Sequence, residues 1–279
     1  MCKWFCRLFS RLKSKSNMTI PQLSYQEANK FFGPNSSVKY LYHYTTLEAF
    51  VNGIIVKSPK KGEEIGLWAT HNQYMNDPTE FKSGVELLDA VINALEEKGA
   101  TDVQSVRDKL ENYKERFFFV CFSEQNDSLP MWNMYGGNGH GVALKFKRFQ
   151  QTIAGEWIVK CEYDKSKIGT RFAELKTQSL SAAVTYLSLM PFILKDSAYS
   201  HETETRFVGD FPSIPTKYRY KNGLAIPYKE IFAEKELLES VVVGPAANQD
   251  KVEQSLRRFL DDNNLQHVKI ERSQIPYRA

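Results

Sequence analysis

Six consecutive apolar residues, Phe117 to Phe122 (FFFVCF), constrain the fold of this chain more than any other stretch. The run has strand propensity, shows no polar alternation and is followed at once by turn residues. It is predicted to be a central strand buried on both faces, which requires a sheet with cover on each side. The surrounding pattern supplies that cover. Asp77 as helix N-cap, Pro78 at the first helical position and Glu80 three residues after the cap mark a helix start. Phe81, Val85, Leu88, Ile92 and Leu95 then recur by fours and threes up to Gly99, an amphipathic helix.

Further elements follow from the same logic. Gly66 to Thr70 is predicted as a strand, Pro130 opens a short helix carrying Trp132 and Tyr135, and Gly141 to Phe146 and Trp157 to Tyr163 are strands. Phe172 to Leu194 forms a long helical pattern interrupted near Pro191, and Arg206 to Phe211 is another strand. Asn222-Gly223 between two β-prone runs marks a hairpin over Tyr218 to Tyr228. Val241 to Val243, a helix carrying Val252, Leu256, Phe259 and Leu260, and a strand at Val268 to Ile270 complete the chain. Helices and strands mix without strict alternation, and no repeat or proline-rich linker divides them. One α+β domain over residues 21–279 is expected, preceded by a leader over residues 1–20.

The net charge of +4 is not spread evenly. Lys3, Arg7, Arg11, Lys13 and Lys15 lie in the first 17 residues without an acid, so the rest of the chain stands at −1 (+4 less +5). No global basic footprint marks the body as a nucleic-acid binder, although a local groove stays compatible with the composition. The leader places Trp4, Phe5, Leu8, Phe9 and Leu12 on one helical face, which would allow peripheral contact of residues 1–17 with an anionic membrane. A dispensable leader preceding a start at Met18 is the alternative. The four cysteines, Cys2, Cys6, Cys121 and Cys161, form no C-x-x-C pair and have no histidine at zinc spacing, so no metal site is expected. A reducing cytoplasm is the natural compartment, and no run of about 18 apolar residues exists to span a bilayer.

Four groups are candidates for chemistry. LYHYTTLEAF places His43 at the end of a strand, where Thr45 and Glu48 have capping-box spacing and Leu47, Phe50, Val51 and Ile54 start a helical stripe. The competing structural role is a histidine hydrogen-bonded within a sheet edge. Trp68 with Tyr74, Asn76 and Asp77 offers either a stacking ring or helix capping. Ser123, Glu124, Asp127, Trp132 and Tyr135 lie on a loop after the buried strand and end in GGNGHG, which lacks the context of a phosphate loop and is explained as well by a turn. In HETETRFVG, strand alternation would put Glu202, Glu204 and Arg206 on one face, either as a solvated ion-pair row or as a carboxylate held by Arg206 and aimed into a cleft.

These motifs, in this order, resemble the bacterial family catalogued as domain of unknown function 2971. The resemblance rests on aromatic-His-aromatic-Thr, Tyr74-Met75-Asn76-Asp77-Pro78, Cys121-Phe122-Ser123-Glu124 followed by Trp132 and Tyr135, the element Glu202 to Arg206, and Ser273 to Arg278. It covers nearly everything from about Tyr40 onward. An early strand histidine, central aromatics and a late strand glutamate are also similar to the plan of ADP-ribosyltransferases, which bind NAD in a cleft between two small sheets. That likeness implies a mainly antiparallel sheet split around a cleft and flanked by helices. It implies catalytic roles for His43, Glu204 and Arg206, with Glu202 as the alternative acid. NAD as substrate would be held by His43, Tyr44, Thr45, Trp68, Ser123, Trp132 and Tyr135, with Trp68 or Tyr135 stacking on nicotinamide. The acceptor would be a nucleic acid or a protein, and the setting bacterial conflict or phage defence. Two other readings remain open: a metal-dependent nuclease or hydrolase using Glu202, Glu204 and Asp127, and a noncatalytic module binding a nucleotide or peptide.

Overall fold

The FFFVCF run is the hub of a ten-stranded sheet. A computed structural model describes residues 31–55, 64–77, 80–96, 116–148, 157–178, 180–221, 223–246 and 248–277. The leader, Pro78, Gly99 and Asn222 lie outside the described residues, as do the side chains of Ile92 and Leu95. Strand β3 (Phe118–Ser123) is buried along nearly its whole length, as the continuous apolar run requires. One edge of it pairs throughout with β6 (Glu204–Gly209), and β5 (Trp157–Lys160) lies beyond β6.

The other edge of β3 is shared by two strands. β1 (Tyr40–Thr45) meets it only at Ser123, through Tyr42, while β2 (Glu64–His71) meets it only at Phe118 and Phe119. From β1 the sheet continues through β4 (Val142–Lys147) and β9 (Leu238–Val243) to β10 (Lys269–Arg272). From β2 it continues through β8 (Leu224–Glu234) to the edge strand β7 (Lys217–Lys221). The sheet therefore splits at the middle of β3. All these pairings are antiparallel except β9 with β10.

Each face has its own core. One packs Leu41, Phe50, Leu67, Val120 and Leu144 against α7 (Gln249–Asp262), whose Leu256 and Leu260 are fully covered. The other packs Phe119, Val159 and Val208 beneath α2 (Glu80–Glu96), α4 (Ile168–Gln178), α5 (Leu180–Ser188) and α6 (Met190–Ile193). The long helical pattern thus resolves into three pieces, and Pro191 sits in the first turn of the last, where its missing N–H costs no hydrogen bond. A smaller cluster of Tyr42, Tyr44, Met131 and Trp132 lies under α3 (Leu129–Met134). No helix among the described residues is long and apolar enough to cross a membrane.

The start of the first helix corrects the expectation. Thr45 stays in β1 opposite Val142, and Thr46 caps α1 (Leu47–Ala49) by accepting from the Ala49 N–H. The chain then widens into a π-helical turn over Phe50–Ile54. Gly53 explains part of this geometry, because a Cβ there would lie 2.0 Å from the Trp68 ring. The missing side chain at Gly53 is the seat of an indole.

Candidate active site at the sheet split

The split leaves Cys121, in the middle of β3, without a neighbouring strand on that edge, so its carbonyl needs another donor. His43 supplies it, with Nδ1 2.9 Å from the Cys121 oxygen. A carbonyl only accepts, so the proton resides on Nδ1 and Nε2 is left as an acceptor. Burial lowers the His43 pKa, the bond to Cys121 opposes that shift, and the Arg219 charge adds to it, so the ring is neutral at pH 7. The structural role expected of a sheet-edge histidine is real. It coincides with the place where β1 and β2 part along β3.

Across the split, Trp68 from β2 lies 5.0 Å from the Tyr228 ring, and the Arg219 guanidinium stands 5.1 Å above the indole and 2.7 Å from Thr70 Oγ1. The Trp68 Nε1 and Arg219 Nε groups are buried and have no hydrogen-bond partner among the described residues. Buried donors left in this way are uncommon and costly.

On the helical face of β3 and β6 lies a buried charge cluster. Arg206 donates to Glu204 through Nε at 2.9 Å and Nη2 at 2.9 Å, and through Nη1 to the Phe192 carbonyl at 2.7 Å. Lys195 Nζ lies 2.5 Å from Glu202, 2.8 Å from Glu204 and 3.0 Å from Glu80, and Glu80 is also 2.8 Å from Arg206. All five side chains are at most 4 % exposed. The row is therefore buried and mutually paired rather than solvated. Glu202 is in a 3₁₀ turn (Ser197–Glu202), not the strand, and reaches the cluster because Thr203 adopts a left-handed conformation with φ of 41°. That conformation is unusual for a β-branched residue and marks strain where two candidate acids meet.

Three carboxylates face two cations, so the cluster would carry −1 if fully ionised. The excess is felt at Glu202. Its pKa is raised by burial, Lys195 opposes this, and Glu204 reinforces it. Burial acts against the charge of Glu204 as well, but Arg206 and Lys195 outweigh it and hold its carboxylate well below the usual range. Burial alone would depress Lys195, and the glutamates reverse that.

The remaining expected residues separate into two sets. Tyr135 donates to Glu202 Oε1 at 2.7 Å, and Ser123 donates to the Glu202 carbonyl at 2.6 Å, so both join the cluster. Trp132 is 0 % exposed, packs at 4.8 Å from Tyr44 and donates from Nε1 to Asp127 at 2.7 Å. The Tyr44 hydroxyl is taken by the Gln125 carbonyl. These two rings build core rather than cleft. Asp127 stands apart from the glutamates, engaged also by Ser273 and Gln274. The glutamates converge on an ammonium and a guanidinium, and no His, Cys, Asp and Glu group suited to a metal occurs among the described residues. GGNGHG is a turn. The amides of Gly139, His140 and Gly141 donate to Trp132, Gly137 and Gly136 carbonyls.

Lys195, Glu80, Tyr163 and Arg219 escaped sequence reasoning. Lys195 was detectable as the first charge after the apolar run LMPFIL. Glu80 was assigned to helix capping, although its carboxylate faces Lys195 and Arg206. Tyr163, whose hydroxyl accepts the Glu204 N–H at 2.8 Å, carried no signal.

The family model described as "Protein of unknown function (DUF2971)" matches residues 131–207, which span α3 through most of β6 and include Tyr135, Lys195, Glu202, Glu204 and Arg206. No curated protein and no solved structure matches the chain. The match over residues 131–207 is to the same family that the ordered motifs resemble.

Proposed function

We propose that this chain is an NAD-dependent ADP-ribosyltransferase-like enzyme acting at the sheet split, in bacterial conflict or phage defence. The observation that carries the reading is the opening of the sheet beside His43, where β1 and β2 leave the same edge of β3. A neutral imidazole with Nε2 free to accept suits a ribose hydroxyl. The unpartnered donors Trp68 Nε1 and Arg219 Nε suit the polar groups of a dinucleotide, and the cation over the indole suits its phosphates. In such a reaction the nicotinamide–ribose bond breaks with the electron pair leaving on nicotinamide, and the acceptor nucleophile takes the sugar carbon. A fixed carboxylate beside the developing positive charge favours that transition state.

Glu202 is the better-placed acid. Glu204 is committed to Arg206 and Lys195, whereas Glu202 bonds the half-buried Tyr135 and has a raised pKa. Glu204 and Arg206 then act by positioning Lys195 and its neighbour. Purified protein should bind NAD and release nicotinamide, and labelled NAD with cell extract should transfer label to a macromolecule. Glu202→Gln should abolish release while retaining NAD binding. Absence of both NAD binding and nicotinamide release from folded protein would refute the reading. Full engagement of Glu204 within the fold favours a second reading, a noncatalytic nucleotide-binding module, and NAD binding without release in the wild type would select it.

A further inference from the structure

We propose that the β7–β8 hairpin is a docking surface for single-stranded nucleic acid. This deepens the proposed function by naming the acceptor class, and it rests on that reading in this respect alone. No acid lies between Asp210 and Glu230, while Lys217, Arg219, Lys221 and Lys229 do. With Arg116, which shares the groove beside the hairpin, five cations face the two acids Asp210 and Glu230, a local charge of +3. The chain beyond its first 17 residues carries only −1, so everything outside this patch stands at −4. Positive charge is segregated onto one corner of an otherwise acidic body, as an anionic partner requires.

The second observation is aromatic. Tyr218 is 68 % exposed and Tyr220 82 % exposed, on an edge strand whose register with β8 is regular. Alternate residues of a strand share a face about 7 Å apart, so the two rings stand side by side in solvent. Beside them lies a groove of about 400 Å³ walled by Tyr218, Pro227, Lys229, His71 and Arg116. The same alternation sends Lys217, Arg219 and Lys221 to the opposite face of the edge strand, so the rings share their own face with Lys229 and Arg116 of the groove, and a strand wrapped over the edge meets cations on both sides. Open rings next to cations form the stacking platform on which single-stranded bases bind without sequence preference.

Charge also argues against the other occupant of an exposed edge, a second copy of the chain. Lys-Tyr-Arg-Tyr-Lys is a palindrome. Antiparallel pairing centred on Arg219 would set Lys217 against the partner's Lys221 and arginine against arginine, and like charges directly opposite destabilise a ladder. Lysines on an edge serve to block such pairing, but that purpose gives no reason for two exposed tyrosines.

The test is fluorescence anisotropy of the full-length protein, without NAD, against labelled DNA and RNA single strands of about 12 nucleotides and the matching duplexes. Single strands should bind more tightly than duplexes, and log affinity should fall linearly with log salt concentration. Tyr218→Ala and Tyr220→Ala should each weaken binding about tenfold, while Tyr→Phe at either site retains it. Lys221→Glu should weaken binding and flatten the salt slope. The basic leader is present in every variant, so the differences report on the hairpin, and both rings are exposed enough that melting temperature should not move. The proposal is overturned if the double alanine variant binds within twofold of wild type. It is equally overturned if the hairpin substitutions abolish self-association instead. NAD turnover is measured separately, so failure here leaves the proposed chemistry standing, and the reverse.

Discussion

Lys195→Met tests whether the buried cluster is held together by charge balance. The substitution conserves much of the volume but leaves Glu80, Glu202 and Glu204 facing Arg206 alone, three carboxylates against one cation. Lys195 is 3 % exposed, so solvent does not screen the loss. Removing one partner of a buried pair costs about 3–5 kcal/mol. At about 2–4 °C per kcal/mol for a domain of this size, the melting temperature should fall by about 6–20 °C at neutral pH.

The pH dependence supplies the sharper test. In the wild type the Glu204 pKa is depressed, so its contribution is present above the ordinary carboxylate value of 4.5 and is lost as pH falls below it. In the variant, Glu202, whose pKa is already raised, loses the Lys195 charge that opposed the shift and rises further. It destabilises at neutral pH, and protonation removes that penalty as pH falls from the raised value toward 4.5. Urea melts at about pH 7.5, 6 and 5 should therefore show a deficit that shrinks on acidification. Adding Glu202→Gln should recover part of it at neutral pH, with a coupling of about 1–3 kcal/mol. A deficit below about 1 kcal/mol, or one that does not change with pH, would refute charge balance as the organising feature.

The other sites give distinct outcomes. His43→Ala removes the donor to the Cys121 carbonyl and should cost about 1–3 kcal/mol in denaturant melts, while His43→Asn, which restores a short donor, should cost less. Gly53→Ala drives a Cβ into the Trp68 ring and should cost about 1–3 kcal/mol, with a change in tryptophan emission that a remote glycine would not produce. Glu204→Gln takes the charge from two cations at once, so it should lower the urea midpoint as well as any activity; Glu202→Gln, at an acid with a raised pKa, should leave the midpoint nearly unchanged.

Much of the architecture was legible because it rests on local patterns. Phe117 to Phe122 announces a strand buried on both faces, Asn222-Gly223 announces the β7–β8 hairpin, and the repeat from Phe81 onward announces α2. The split was not readable from periodicity, since it depends on two strands sharing opposite ends of one edge, a non-local fact. The same limit hid the charge cluster. Glu80 is far in sequence from Lys195 and Glu204, and each of the three has an ordinary local explanation as a cap, a helix end or a strand residue. Trp132 and Tyr44 were expected to help hold NAD, and aromatic content does not distinguish a cleft from a core. Both rings are buried, and they hydrogen-bond to Asp127 and Gln125.

Cys121 joins the two halves of the candidate site. Its carbonyl accepts from His43 across the split, and it stands opposite Arg206 of the cluster in the β3–β6 ladder, while the thiol of Cys161 donates to Glu204 at 3.6 Å. Burial and the Glu204 charge push the Cys121 thiol pKa well up, so this residue is a spacer and not a nucleophile. A change in the charge of the cluster is thus one residue removed from the imidazole at the opening. Such proximity gives a physical route by which a ligand at the split and the state of Glu202 and Glu204 influence each other, without any moving element.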